Sequence, residues 1–474
     1  MHLSAYEMVI GLEVHAELNT QTKIFCGCST AFGAEPNTQC CPVCMGMPGT
    51  LPVLNQEVVY KAIKAGLATH CRIAQFSKSD RKNYFYPDLP KAYQISQYDL
   101  PLCEGGYLDI DTPSGPKRIG ITRIHIEEDA GKLIHREDGG TLCDYNRCGV
   151  PLIEIVSEPD IRSAEEAVAY FRRLRAILLY TQVSDCKMQE GSLRCDVNLS
   201  VRKKGESALG TRTEMKNLNS FRFIQSAIQY EFQRQVEAIE AGEAIVQETR
   251  RFDQASGKTF SMRRKEDAND YRYFPDPDLL PIVTSDETLE TLRASIPQLP
   301  DERKGRYIQE YGLAEQDADA LVNDLEVADY FEAAAAQTKD PKGLAHLITS
   351  EVFRLLGSDE AHIPIRPEHL ALLADLLAEE RINSGTGKRL IGMMWASDRN
   401  PRQLAEEHKL WMISDRETLA GYADQVIESN AKSVADYRSG KVKALDTLVG
   451  QMMRLTGGQG NPVLIRSILK EKLG

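Results

Sequence analysis

No apolar run in this 474-residue chain approaches the ~18 residues needed to cross a bilayer as a helix, which excludes a helical membrane protein. The opening, MHLSAYEMVIGLEVH, has no basic start, no uninterrupted apolar segment and no Arg/Ser-rich amphipathic character. Neither a secretory signal nor a transit peptide is expected, and the sequence predicts a cytoplasmic protein. Phosphate-binding fingerprints are also missing. The one lysine after a Gly-x-Gly, in GTGKRL, lacks the upstream glycine and the following Ser/Thr of a Walker A loop, and no GxGxxG follows a predicted strand. A Gly/Ser-rich amidase run, a GxCxG elbow and a cysteine at position 2 are all absent, so the chain is not expected to liberate ammonia itself. Cysteine does not occur after Cys195, and the 11 present are odd in number and crowded towards the start, which does not suit a secreted disulfide framework.

What is present describes an ordinary globular chain with an unusual charge distribution. Hydrophobic residues make up 42% and charged residues 27%, and 53.0 kDa of chain suggests two to four domains. The net charge of −12 argues against non-specific polyanion binding by the whole chain. The stretch from Asn430 to Gly474 reverses the sign, with eight cations against three anions. A basic end of this kind can meet a phosphate backbone, although a solvated helix surface has the same composition.

Five cysteines lie between Cys26 and Cys44. Cys26-Gly-Cys28 followed by Cys41-Pro-Val-Cys44 sets two close pairs around a turn-rich loop, the spacing that a tetrahedral zinc-thiolate site requires, with Cys40 able to replace Cys41. Alternation predicts strands in MVIGLEVHAEL, ITRIHIEED and LRCDVNLSV, each with an apolar and a polar face. A helix is predicted after Ser163, where Ser163 and Glu166 form a capping-box pattern, and another through SFRFIQSAIQYEFQRQVEAIEAG. Beyond a proline-bearing segment at 295–303 the pattern becomes helical throughout. A further break is expected near 398–402, and GGQGNP separates two final helices.

The polar faces hold the chemistry. Glu13 and His15 share one strand face; Arg123, His125, Glu127 and Asp129 share another, with Glu128 at its end. PLIEIVSEPD, MQEGSLRCDVN and TEMKNLNS add Glu154, Glu190, Arg194, Asp196 and Lys216. If these faces converge, carboxylates and an imidazole make a hard-cation site suited to Mg²⁺ and nucleotide phosphates. The segment DRKNYFYPDLPKAYQISQYD packs aromatics between Arg81, Lys82 and Lys91, a combination that suits base stacking and phosphate contact or a rigid loop packed on the sheet.

Together VIGLEVHAEL, FGAEPNTQCCPVCMGMPGTLPV, DRKNYFYPDLPKAYQISQYD, GITRIHIEEDAGK, PLIEIVSEPDIRS, KMQEGSLRCDVN, EMKNLNSF, QETRRFD, DYRYFPDPDL and GKVKALDTLVGQMM resemble the GatB family over essentially the whole chain. These are the B subunits of aspartyl/glutamyl-tRNA(Asn/Gln) amidotransferases. The resemblance implies an α+β chain: a kinase-like cradle with a mixed or antiparallel sheet and a zinc loop over 1–294, an all-α helical domain over 295–400, and a YqeY-like helical tail over 401–474 that reaches tRNA. It implies phosphorylation of the side-chain carboxylate of misacylated Glu-tRNA(Gln) or Asp-tRNA(Asn) by ATP, then displacement of phosphate by ammonia. Under it, His15, Glu127, Glu128 and Glu154 are expected to hold Mg²⁺, and Cys26, Cys28, Cys41 and Cys44 a structural Zn²⁺. Glu13, Glu190, Arg194 and Lys216 are expected to act in catalysis, and Lys82, Tyr84, Lys91, Ser96 and Gln97 to bind the nucleotide. The implied partners are the amidase GatA and the small protein GatC, which complete a heterotrimer, with no membrane. A non-catalytic tRNA-binding scaffold is the alternative, separated by ATP turnover that depends on misacylated tRNA.

Overall fold

Alternation in MVIGLEVHAE sends Leu12, Val14 and Ala16 to one side and Glu13, His15 and Glu17 to the other, making one long strand, β1 (Tyr6–Glu17). The computed structural model describes residues 3–264, 270–356 and 362–474 and places this strand in the middle of a nine-stranded sheet. The other strands are β2 (Arg72–Ile73), β3 (Cys103–Thr112), β4 (Gly115–Glu128), β5 (Pro151–Ser157), β6 (Leu193–Lys203), β7 (Thr213–Lys216), β8 (Glu248–Asp253) and β9 (Lys258–Arg264). Their spatial order is β9-β8-β7-β6-β1-β5-β4-β3-β2, antiparallel throughout except for the parallel pair β7–β8. The mixed, largely antiparallel sheet agrees with the expected fold class.

Register decides which polar groups meet. Glu154 of β5 lies opposite His15 of β1 on one side and His125 of β4 on the other, while Arg194 and Asp196 of β6 oppose His15 and Glu13. A slip of one residue in any strand would turn its whole polar set to the other face. The apolar face prevents that slip: Leu12, Val14, Ile153, Ile155, Val197 and Leu199 are buried with residues of α1 (Gln56–Ala68), α2 (Ala164–Tyr180) and α3 (Phe221–Glu240). Each such side chain contributes about 1.5–3 kcal/mol on full burial.

The helices begin where their caps dictate. The Ser163 hydroxyl accepts from the Glu166 N–H at 3.0 Å and Ser220 from the Phe223 N–H at 3.2 Å, each satisfying a donor that the first helical turn leaves free. On α3, Glu231 is fully buried and fixes the far end of the sheet. It accepts from Thr213 of β7 at 3.0 Å, Thr259 of β9 at 2.9 Å and Arg234 at 2.6 Å, with Arg250 of β8 at 3.3 Å. A separate three-stranded sheet joins the hairpin Asp80–Asn83/Tyr93–Ser96 to Phe274–Pro275.

The chain divides into two compact units, Met1–Pro300 and Asp301–Gly474. The second is helical and has two apolar cores. One runs from Tyr307 to Leu410; the other, from Leu419 to Leu473, is shared by α4 (Arg416–Ser429), α5 (Ala431–Arg438), α6 (Ala444–Leu455) and α7 (Pro462–Leu473). Leu404 and Ala405 are buried in the first core, so the change from one core to the next falls after Leu410, past the expected division at 400/401. No helix among the described residues is long and apolar enough to cross a membrane.

Candidate active site

The polar face of the sheet opens into a cavity of about 400 Å³. Its walls are Glu13 and His15 of β1, Glu127 of β4, Glu154 of β5, Arg194 and Asp196 of β6 and Lys216 of β7, with Asp129 just beyond β4 and Lys82, Tyr84 and Gln94 reaching in from the hairpin. Residues far apart in sequence meet because the strands that carry them are neighbours in the sheet. His15 Nε2 lies 3.4 Å from Glu154 Oε2, 3.6 Å from Glu127 Oε1 and 3.9 Å from Glu13 Oε1. Behind them the buried His125 holds Nε2 at 3.7 Å from Glu154 and 3.8 Å from Glu127, and its Nδ1 has no partner. Two overlapping donor sets share His15: His15/Glu127/Glu154 and Glu13/His15/Asp196, each with ligand atoms within 4.8 Å of one another.

The electrostatics fit a cation here. Burial alone would push the His15 imidazole down, but Glu154, Glu127 and Asp196 outweigh it and carry its pKa up to about 9. Burial, together with Glu154, raises Glu13 to about 6. A proton thus resides where negative charge is in excess, and a hard divalent cation with oxygen ligands is the natural replacement. Glu154 stays ionised despite burial because His15, His125 and Lys82 hold its carboxyl well below the usual range. Positive groups frame the other side. Lys82 keeps its proton against burial because Glu127 is close; Lys216 donates to Asp196 at 2.6 Å and lies 3.2 Å from Glu214; and Arg194 Nη2 donates to Asp129 at 2.5 Å. The buried Nε of Arg194 has no acceptor among the described residues.

Five expected site residues are not among the cavity walls. Glu128 follows Glu127 directly, and the two-residue period of β4 turns it to the opposite face, where Lys91 and the Ile95 N–H donate to it. Lys91 is therefore occupied away from the cavity, over the rings of Phe25 and Tyr93. Gln97 is spent on structure: its Nε2 donates to Ser77 Oγ and Lys78 O, and its Oε1 accepts from Leu102 N and Ile126 N. Glu190 sits in the turn before β6, 3.1 Å from Lys187, and is not among the cavity walls. Ser96 is buried and donates to Glu127 Oε2 at 3.4 Å, so it braces a wall carboxylate.

The Sγ atoms of Cys26, Cys28, Cys41 and Cys44 lie within 4.8 Å of one another. Tetrahedral Zn–S bonds of ~2.3 Å put sulfurs about 3.8 Å apart, and Cys41 and Cys44 stand at 4.0 Å. Cys40 turns away and donates to Asn37 O, leaving Cys41 in the cluster. The Cys26 thiol, against burial and with help from the Cys41 N–H and the Lys23 ammonium, pulls the Cys44 pKa down to about 4. Four converging thiols with a pre-formed thiolate among them could hold a metal.

Residues 8–290 match the profile of the GatB/GatE catalytic domain, and residues 329–473 that of the GatB domain. A Caldicellulosiruptor saccharolyticus protein, named as the B subunit of an aspartyl/glutamyl-tRNA(Asn/Gln) amidotransferase, is 56% identical over 475 residues, covering 99% of each chain. Proteins of the same name from Caldanaerobacter subterraneus and Geobacter sulfurreducens are 55% and 52% identical, again over 99% of each chain. The chain belongs to the GatB family.

In this GatB chain, residues in and beside the cavity join those expected from the sequence. Glu17 continues the alternation of Glu13 and His15, and burial with the neighbouring Asp129 raises it to about 8. Asn217 and Asn219 line the cavity just after β7, and Gln94 spans it from Tyr84 OH to Glu128 O. The alternation could have found Glu17. The two asparagines carry no local signal, since only the pairing of β6 with β7 brings them in.

Proposed function

We propose that this GatB chain activates the side-chain carboxylate of glutamate or aspartate misacylated on tRNA, as the ATP-using subunit of a tRNA-dependent amidotransferase. The reading is carried by one observation: a cavity on the polar sheet face where Glu13, His15, Glu127 and Glu154 stand against Lys82, Arg194 and Lys216. A free carboxylate is a poor electrophile because its charge repels nucleophiles and oxide leaves badly. Its oxygen attacks the γ-phosphorus of ATP, ADP departs, and the acyl phosphate that results loses phosphate to ammonia and becomes the amide.

Phosphoryl transfer needs positioning and charge neutralisation more than covalent help. His15, Glu127 and Glu154 would hold Mg²⁺, which when bound neutralises phosphate charge. Arg194 and Lys216 clamp the incoming carboxylate; Lys82, beside Tyr84, takes the phosphates. Glu13, a half-buried carboxylate on the same wall, accepts the proton that the attacking ammonia sheds as the amide C–N bond forms and phosphate leaves. The cysteine cluster would hold Zn²⁺ and stiffen the loop ahead of α1. Ammonia comes from a partner amidase, and a small third protein completes a cytoplasmic heterotrimer. The basic tail would meet the tRNA. Reconstitution with the partner amidase, ATP, glutamine or ammonium, and each misacylated tRNA in turn tests the proposal. Amide formation that requires this chain and ATP supports it, and amidation without ATP consumption overturns it.

A further inference from the structure

Beyond Lys82 and Tyr84, a run of aromatic rings beside the cavity has no part in the proposed reaction. Lys82 Nζ, at the cavity wall, lies 4.9 Å from the ring centre of Tyr271 and 5.7 Å from that of Tyr84. Tyr84 meets Tyr271 edge-on at 5.7 Å, Tyr271 meets Tyr273 at 6.1 Å, and Tyr273 stacks on Tyr98 at 4.4 Å with the rings 8° from parallel. Three ring contacts therefore lead from the phosphate-facing lysine to Tyr98. Tyr273 stands between Tyr271 and Tyr98, and its hydroxyl, pushed up chiefly by burial, also feels Lys82, Glu127, Glu154 and Arg123.

Tyr98 ends the run and is 54% exposed. Its backbone is held at both polar groups, and the ring is held by the stack on Tyr273. Its N–H donates 3.0 Å to the buried Asp80, and its C=O accepts from Arg123 Nη1 at 3.4 Å. Asp80 is held in turn by Lys78 at 2.5 Å, and the next residue back, Gln97, is locked by its four hydrogen bonds. One face of Tyr98 is covered by Tyr273, and the ring is left with exposed area at the outer end of the aromatic run that starts at Lys82. Aromatic surfaces beside cations bind bases by stacking, and pre-organisation lowers the ordering cost.

We propose that Tyr98, backed by Tyr273, is the platform on which the adenine of a substrate stacks while its phosphate or acyl end reaches the carboxylate cavity. The inference rests on the proposed ATP- and tRNA-dependent reaction and adds a base subsite to it. Two substrates present adenine: ATP, and the acceptor end of tRNA, which closes on an adenosine. The chemistry recognised is the same, and the test separates the sources.

The experiment uses the reconstituted complex with Tyr98→Ala and Tyr98→Phe. Equilibrium binding is measured for ATP, for inorganic tripolyphosphate, for tRNA, and for the same tRNA lacking its terminal adenosine. Loss of one stacking partner should weaken the adenine-bearing ligand about tenfold. If ATP weakens in Tyr98→Ala and tripolyphosphate does not, the platform takes the nucleotide. If intact tRNA weakens and the shortened one does not, it takes the acceptor end. Tyr98→Phe, which keeps the ring, should restore the affinity in either case. Unchanged affinity for both adenine-bearing ligands in a complex that amidates normally overturns the platform alone. So does a Tyr98→Ala chain that fails only to assemble with the amidase, since that would make Tyr98 a protein-contact residue. An unmodified complex that never consumes ATP overturns the underlying function instead.

Discussion

Consecutive glutamates on opposite faces of β4 should fail in different ways. Glu128 pairs with Lys91, whose side chain is 8% exposed and has no other carboxylate within ion-pair range among the described residues. Glu128→Ala strands that ammonium and also removes the acceptor of the Ile95 N–H. Breaking a buried pair from one side costs about 3–5 kcal/mol. At about 2 °C per kcal/mol for a unit of this size, the first melting transition should fall by roughly 6–10 °C. Glu127→Gln keeps the volume and can still accept from Ser96, and in the metal-free protein it removes one of the carboxylates crowded around His15. Because the lost crowding and the kept hydrogen bond leave a change of under about 1 kcal/mol, its transition should move by less than about 2 °C, while ATP turnover with misacylated tRNA falls by about 100-fold or more. Calorimetry and a turnover assay on the two variants side by side check this. Equal melting shifts, or a Glu128→Ala protein as stable as the parent, would refute the assignment of the two residues to opposite faces.

Acid sensitivity should trace to Glu231. Its buried carboxyl is held below the usual range because Arg234, Gln235 and Arg250 outweigh desolvation, so its contribution is present above pH ~4.5 and is lost as pH falls further; Glu231→Gln should flatten the acid limb of a stability-versus-pH curve. Protein prepared without chelator should carry one zinc ion per chain by elemental analysis, and Cys44→Ser should lose the metal and melt earlier while turnover survives at low temperature. For the tail, Lys441 and Arg466 are engaged with Asp436 and Asp446, whereas Lys443, Arg454 and Lys470 are exposed and have no ion pair among the described residues. Neutralising those three should weaken tRNA binding and lower its salt slope by about two to three, with ATP affinity unchanged. A cut at Asn430 is the poorer test, because it would leave Leu419, Ala423 and Val426 of α4 without the rest of their core.

The strands were legible because period-two alternation is a local signal. MVIGLEVHAEL, ITRIHIEED and LRCDVNLSV each became part of a strand, and Glu13, His15, Glu127, Glu154, Arg194 and Lys216 met on one face because their apolar neighbours were buried on the other. Alternation did not say where a strand stops. Glu190 lies in the turn ahead of β6, so spacing assigned it no face, whereas Glu128, the last residue of β4, is set opposite Glu127 by the period of two as soon as the strand is known to reach it. The hairpin residues were harder still. Lys91, Ser96 and Gln97 sit within seven residues of one another, yet one pairs with Glu128, one braces Glu127 and one stitches the backbone, a division set by contacts with β4 some thirty residues away. Tyr98 and Tyr273 are 175 positions apart, and no local pattern foretells their stacking. In the helical unit the loss of strand character after residue 300 was plain, but the change of core beyond Leu410 was not, because the spacing of Leu404 and Ala405 in helix Pro401–Glu407 does not say which core they join.

The central claim is that the carboxylate–imidazole cavity activates the side-chain carboxylate of the misacylated residue. Hydroxylamine added in place of an ammonia donor traps an acyl phosphate as a hydroxamate, and ATP consumed can be counted against hydroxamate formed on the tRNA. The account predicts matched amounts for the parent complex and neither product for His15→Ala or Glu154→Ala in complexes that still assemble and bind tRNA. Hydroxamate formed at the parent rate by either variant would contradict it.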